Sequence, residues 1–245
     1  MSNKNGIYRL IEDLREIKLY KMAGALEDLY GSKDFDLLDR SSFLERIIGP
    51  EYDDTISKQY ENRLGRANLK GCPQAIDSCT DSLQRSYLPT GIVDTLSSLD
   101  FIKEGLNICI LGPSDSGKSY LAKALGIIGC HKYRVCYLHC QPFLEEMVAL
   151  KETDFTKFKK NLTYHIKLDL LILDDFLLHT VSDEREIKVL FQVMEKRSEL
   201  SKSTIVCSQR EPNSWTSMIL NDEVSSNAIM KRATKHYTVV IQPQN

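Results

Sequence analysis

The sequence predicts an α/β protein in which helices cover both faces of a parallel sheet, behind an all-helical N-terminal region. Three observations carry this. From Leu106 onward, short apolar runs (residues 107–111, 135–139, 170–173, 204–207 and 238–241) alternate with segments of helical spacing (118–130, 143–150, 155–165, 184–200 and 221–234). Those runs are mostly apolar rather than alternating, the pattern of strands buried on both sides and joined by crossover helices. Residues 7–70, by contrast, carry helical spacing throughout.

Taken in order, Ile7, Leu10, Ile11, Leu14, Ile17 and Leu19 trace an apolar stripe, with Arg9, Glu12, Asp13, Arg15 and Glu16 opposite. Gly24 and Gly31 punctuate the region, and Ser32-Lys33-Asp34 reads as a turn. Asp39 to Ser42 offers an N-cap for a helix carrying Phe43, Leu44, Ile47 and Ile48. Gly49-Pro50 should disturb or end that helix, because proline lacks an N–H and restricts its predecessor. A polar helical pattern resumes at 52–70 and ends in Arg63, Arg66 and Lys70. Residues 71–90 are rich in Gly, Pro, Ser, Thr and Asp and read as a connector, with a short helix after them. The expected division is a helical domain at 1–70, a linker and lead-in helix at 71–100, and a core at 101–245.

The first apolar run stops at Gly112. Gly112-Pro113-Ser114-Asp115-Ser116-Gly117-Lys118-Ser119 then satisfies G-x-x-x-x-G-K-[ST], ahead of helical spacing at Leu121, Leu125 and Ile128. Between a strand and a helix this reads as a phosphate-binding loop. Its glycines let backbone N–H groups turn inward around phosphate oxygens, and the helix start adds its positive end. Lys118 would reach the terminal phosphates and the Ser119 hydroxyl would ligate Mg²⁺. Gly112 to Ser119, with Tyr120 behind them, are therefore the candidate residues for binding ATP.

Leu170 to Leu173 is followed by Asp174 and Asp175. A buried apolar run should not end in paired carboxylates unless something cationic faces them. Asp174 is accordingly a candidate magnesium ligand beside Ser119, and Asp175 a candidate to polarise an attacking water. The run at 203–207 leads into Ser208 and Gln209, either of which could sense a γ-phosphate; a strand merely entering a turn would look the same.

Composition sets the bounds. A chain of 245 residues, 42% hydrophobic, can bury a sizeable core. No apolar run approaches the ~20 residues of a membrane span, and the start, MSNKNG, lacks the apolar centre of a signal peptide. Seven cysteines read as reduced thiols, so no membrane association and a cytoplasmic location are expected. Cys136, His139 and Cys140 do not read as a zinc site, since residues four apart on a strand lie ~13 Å apart. Net charge is −2, with 13 basic and 17 acidic residues in 1–100 and 19 and 17 in the rest. Contacts to nucleic acid must then come from local patches. The candidate patch is Lys157, Lys159 and Lys160 joined by Arg63 and Arg66, against the plainer reading of a solvated helix face.

GPSDSGKSYLAKALG, LLILDDF, STIVCSQREPNSW and NAIMKRA, in that order, resemble the IstB-like ATP-binding proteins of bacterial insertion sequences, AAA+ ATPases related to DnaC helicase loaders. LREIKLYKMAGALEDLY is similar to that family's helical leader. The resemblance implies a P-loop NTPase of AAA+ type, a three-layer sandwich preceded by a small helical domain and lacking a C-terminal helical lid. It implies ATP hydrolysis with Mg²⁺, assembly as a homo-oligomer on duplex DNA, and assistance to a transposase in target selection. Through the pattern AI-x-x-R, it makes Arg232 the candidate arginine finger acting on a neighbouring subunit's ATP. The chain departs from the pattern at Ser114-Asp115-Ser116, where small residues or glycine are usual, at Leu177, where glycine is frequent, and at Lys231, where an acid is frequent. Asp115 places an anion near bound phosphates unless it points outward or caps the helix. A DnaC-like helicase loader, a small-molecule kinase and a non-hydrolysing scaffold are the alternatives.

Overall fold

The computed structural model describes residues 2–35, 37–219 and 223–243. They form two compact units, one running through Asn62 and the other from Arg63 onward. In the first, α1 (Ser2–Glu16), α2 (Tyr20–Tyr30) and the body of α3 (Arg40–Arg66) enclose Ile11, Ala23, Leu26, Leu29 and Ile47. Ile7, Ile11 and Leu14 face this core, whereas Leu10 and Ile17 are exposed. At a helical turn of 100° per residue the first three share one side, and the other two flank it. Tyr8, Tyr30, Phe35 and Phe43 meet edge to face in succession, with ring centroids 5.8, 5.1 and 5.7 Å apart. Asp39 caps α3, accepting from the Ser41 and Ser42 N–H groups at 2.9 and 3.1 Å. Pro50, expected to disturb or end this helix, lies inside α3 and does not end it. It sits on an exposed stretch, where water can replace the one hydrogen bond a proline cannot donate.

The second unit begins with the last turn of α3. In chain order come β1 (Arg85–Leu88), α4 (Ile92–Ser97), α5 (Asp100–Glu104), β2 (Ile108–Leu111), α6 (Lys118–Gly129), β3 (Val135–His139), α7 (Cys140–Thr153) and α8 (Phe155–Lys167). They are followed by β4 (Leu170–Asp174), α9 (Glu184–Glu199), β5 (Ser203–Ser208), α10 (Trp215–Met218), α11 (Glu223–Ala233) and β6 (Tyr237–Pro243). Among the described residues the strands form one sheet in the order β1-β6-β2-β5-β4-β3. The five strands expected from sequence run parallel, and β1 adds an antiparallel edge against β6. Residues 85–88 therefore belong to the sheet rather than to a connector. Asn221 and Asp222 of the last expected helix lie outside the described residues.

Residues facing one way from the sheet (Cys109, Leu111, Leu171, Leu173 and Val206) bury against Phe143, Leu144, Phe158, Leu190, Val193 and Ile229 of the crossover helices. On the other face lies α6, whose Gly126 comes so close that a Cβ would sit 2.9 Å from Ile172. Helices thus cover both faces, as a parallel sheet requires. The free edge of β3 is closed by the chain after α3: the Tyr137 N–H donates to the Ala67 carbonyl at 2.9 Å, and Asn68 Nδ2 donates to the Tyr137 carbonyl at 3.1 Å. All seven cysteines are free thiols, six of them buried. No helix among the described residues is long and apolar enough to cross a membrane.

Candidate functional site

β2 ends at Leu111 and α6 begins at Lys118, so residues 112–117 turn the chain at the carboxyl edge of the sheet, where open α/β folds place ligands. Gly117 has φ 101°, a conformation that disfavours a side chain. A Cβ on Gly112 would lie 2.6 Å from the Ile241 carbonyl oxygen and 2.7 Å from the Ser116 hydroxyl. That hydroxyl is buried and has no hydrogen-bond partner in the chain. A buried polar atom without a partner, at the N-terminus of a helix, suits an anionic ligand such as phosphate. Lys118 is 7% exposed, and its Nζ donates to the Pro113 carbonyl at 2.5 Å. Burial lowers its pKa, and Cys207, Asp174, Asp175 and Asp115 oppose that shift. Asp115, with φ 59°, is exposed, and no side chain caps α6. Asp115 therefore does not cap the helix, and its charge stays close enough to act on Lys118.

β4 brings up the acids. Asp174 is 1% exposed; its Oδ2 accepts from the Tyr137 hydroxyl and its Oδ1 from the Asp175 N–H at 3.0 Å. Burial raises the Tyr137 pKa, and the hydrogen bond to Asp174 raises it further. Asp175 takes φ 52°, and its Oδ2 lies 3.0 Å from His139 Nδ1. Leu177, at the position where the resemblance led to an expectation of glycine, has φ 51°. The leucine thus keeps a glycine-like conformation, at a steric cost of roughly 1–2 kcal/mol. The turn is tied to β5, because the Phe176 N–H donates to the Cys207 carbonyl at 2.8 Å and the Ser208 hydroxyl donates to the Phe176 carbonyl at 2.9 Å.

Lys118, Ser119, Tyr120, Asp175, Gln209 and Arg85 line one cleft of ≈ 390 Å³, within the range of small-molecule sites. Ser114, Asp115 and Gly117 complete its loop side. The phosphate loop and the paired acids are therefore brought together. At the end of β5, Gln209 faces the cleft, while the Ser208 hydroxyl is held by Phe176 and also accepts from the Arg210 N–H at 3.2 Å. Arg232 lies elsewhere, ion-paired with Glu195, donating to the Ala228 carbonyl at 2.9 Å and placed 5.8 Å over the Phe191 ring.

The basic candidates divide. On α8, Lys159 lies 4.7 Å over the Phe155 ring, Lys157 pairs with Asp154 at 3.3 Å, and Lys160 is exposed. Burial raises the pKa of Tyr164 on the same helix, and Arg66 and Arg134 oppose it, so both cations stand near α8. Arg63 instead donates to the carbonyls of Cys130 and His131, holding the end of α6.

Tyr137 and Arg85 did not stand out in the sequence, and His139 did so only beside Cys136 and Cys140, in the zinc pattern that strand spacing rules against. Tyr137 and His139 lie on a strand whose neighbour is β4, an adjacency created only by the strand order. Arg85 lies in the stretch expected to be a connector.

The sheet order, the loop after β2 and the acids after β4 define an AAA+ ATP-binding protein. Solved structures share the fold. DnaI matches with a TM-score of 0.57 at 17% identity, over 69% of this chain and 91% of that one. The replication initiator DnaA bound to AMPPCP and single-stranded DNA matches with 0.56 at 21% identity, over 70% and 50%. The DnaC helicase loader matches with 0.52 at 20% identity, over 69% and 97%. A family model described as IstB-like ATP binding protein matches residues 12–245, and the chain belongs to that family. Its relatives include the proteins named for ATP binding in insertion sequence IS232 of Bacillus thuringiensis subsp. berliner (29% identical, over 97% of this chain and 92% of that one) and in IS1162 of Pseudomonas fluorescens (30% identical, over 84% and 87%).

Proposed function

We propose that this chain is the ATPase of an insertion sequence, a cytoplasmic protein that assembles with ATP on duplex DNA and assists the element's transposase in selecting a target. The observation that carries the reading is the meeting of Lys118, Ser119 and Asp175 at one cleft, with the buried Asp174 acting on Lys118 beside it, in a chain whose relatives are named for insertion sequences.

In this reading the N–H groups of the loop and the Ser116 hydroxyl hold phosphate oxygens, and Lys118 exchanges the Pro113 carbonyl for them. No trio of His, Cys, Asp or Glu side chains suited to a metal occurs among the described residues, so Mg²⁺ would rest on Ser119, Asp174 and the phosphates. The ion would supply neutralising charge at the terminal phosphates. Tyr137 fixes the rotamer of Asp174. Asp175 takes the proton of the attacking water, with His139 setting its orientation. Gln209 sits where a γ-phosphate would be sensed. Arg232 serves a neighbouring subunit's site, and must leave Glu195 to do so, which makes hydrolysis wait on assembly. DNA is held through its backbone by Lys159, Lys160 and Arg66, without sequence preference.

Sedimentation of the full chain with ATP and a random duplex tests the reading. The wild type should form a large complex, Lys118→Ala should not, and Asp175→Asn should form one that persists. A Lys118→Ala complex equal to that of the wild type refutes it. Capture of a replicative helicase in preference to the transposase would favour the loader alternative.

A further inference from the structure

We propose that Arg85 is a second phosphate-binding cation of the nucleotide site, supplied by the edge of the sheet rather than by the loop. The proposal rests on the ATP-binding reading above and adds a residue that the loop motif does not contain.

Arg85 opens β1 and stands opposite Pro243 of β6. Its side chain lines the same cleft as Lys118, Ser119 and Asp175. Its Nη1 lies 2.5 Å from the point that a Cβ on Gly117 would occupy. The guanidinium is therefore laid against the Cα of the residue just before Lys118, where the loop's N–H groups turn inward. The absent side chain of Gly117 does two things: it permits φ 101° and it leaves room for this cation.

The direction of approach matters as much as the distance. In the strand order, β4 and its acids lie on one side of β2, and β1 lies on the other. A nucleotide in the loop would thus be bracketed, with Asp175 on one flank and Arg85 on the opposite flank. Charge points the same way. Asp115, Asp174 and Asp175 all act on Lys118, which leaves three carboxylates to one ammonium around a site meant for a polyanion. A guanidinium reduces that excess of negative charge, and its planar fork suits phosphate oxygens better than a point charge does. Because the loop N–H groups cradle the α- and β-phosphates, a cation against Gly117 acts on the diphosphate part shared by ADP and ATP.

Fluorescence titration with N-methylanthraniloyl ADP and ATP tests this, using the whole 245-residue chain as wild type, Arg85→Ala, Arg85→Lys and Lys118→Ala, each checked for its thermal midpoint without nucleotide. Arg85→Ala should weaken both nucleotides by about tenfold or more, with Arg85→Lys recovering part of the loss. Its ligand-free midpoint should stay near that of the wild type. If Arg85→Ala fails to fold, Arg85→Gln carries the same comparison. Wild-type affinity in the variant would overturn the proposal, and so would a loss confined to ATP, since the contact would then not be beside Gly117. Failure of the wild type to bind, or unchanged binding in Lys118→Ala, would instead sink the underlying ATP reading.

Discussion

Asp115 stands at the tip of the phosphate loop, exposed and with φ 59°, a backbone region that costs a non-glycine residue roughly 1–2 kcal/mol. Its carboxylate also lines the cleft where phosphates would sit. Asp115→Gly should remove both penalties. The expected outcome is a thermal midpoint raised by a few degrees and ATP bound several-fold more tightly, read by calorimetry and titration. The buried Leu177, at φ 51°, does not offer the same gain. Relief of its strain would be outweighed by the ~2–5 kcal/mol typical of deleting a buried leucine side chain. At this scale the sequence was informative where function is local in the chain: Gly112 to Ser119 and Asp174-Asp175 announce themselves within a few residues. Tyr137 and His139 contact the acids, and Arg85 lines the same cleft, from strands far away in sequence, and nothing in their own neighbourhoods marks them for this site.

Among the elements, the helical layer between β4 and β5 depends on Arg197, which is 1% exposed on α9. Its guanidinium donates to the carbonyls of His165 at 2.7 Å, Ile166 at 3.2 Å and Leu168 at 3.0 Å, to the Ser203 carbonyl, and to the Thr204 hydroxyl at 3.0 Å. One side chain thus closes the end of α8 and ties it to the start of β5. Burial pushes its pKa down to about 9, so it remains charged at neutral pH. Arg197→Met would keep the volume and abandon several buried carbonyls, at ~1–3 kcal/mol each. A loss of at least about 3 kcal/mol is expected, lowering the midpoint of the second unit by roughly 6–12 °C in a melt followed by circular dichroism. Periodicity located the strands from β2 to β6 to within a residue or two, because each is an apolar run bounded by polar turns. It missed β1, which has only four residues, RSYL, and is a strand only because β6 pairs with it. It overrated Pro50, since a proline on an exposed stretch of helix forfeits a hydrogen bond that water can supply.

For the whole molecule, two properties follow from how charges and thiols are distributed. Burial pushes Cys109, Cys130 and Cys140 up to about 12 and Cys136 up to about 11. Unfolded thiols ionise near 8.5, so above that pH the unfolded chain has shed protons that the folded chain retains. The stability these thiols contribute is complete below about pH 8.5, and each loses ~1.4 kcal/mol per pH unit as pH rises toward its folded value. The thermal midpoint should be flat from about pH 7 to 8 and fall steeply above about pH 9. The proposed DNA binding would draw on the opposite surface chemistry, exposed cations on α8. Lys159→Glu with Lys160→Glu should weaken duplex binding, and should reduce the slope of log affinity against log salt by about 1.8 if both contact phosphate. An unchanged slope would remove α8 from the DNA path. The net charge of −2 carries no information on such a local cluster of cations, because it averages over the whole surface.

The most direct measurement is a crystal structure of the protein with Mg²⁺ and a non-hydrolysable ATP analogue. The triphosphate should lie along residues 113–119, its oxygens ~3 Å from the loop N–H groups and Lys118 Nζ, with the metal between Ser119 and Asp174. Nucleotide bound anywhere else, with the Lys118 side chain still on the Pro113 carbonyl, would contradict the account.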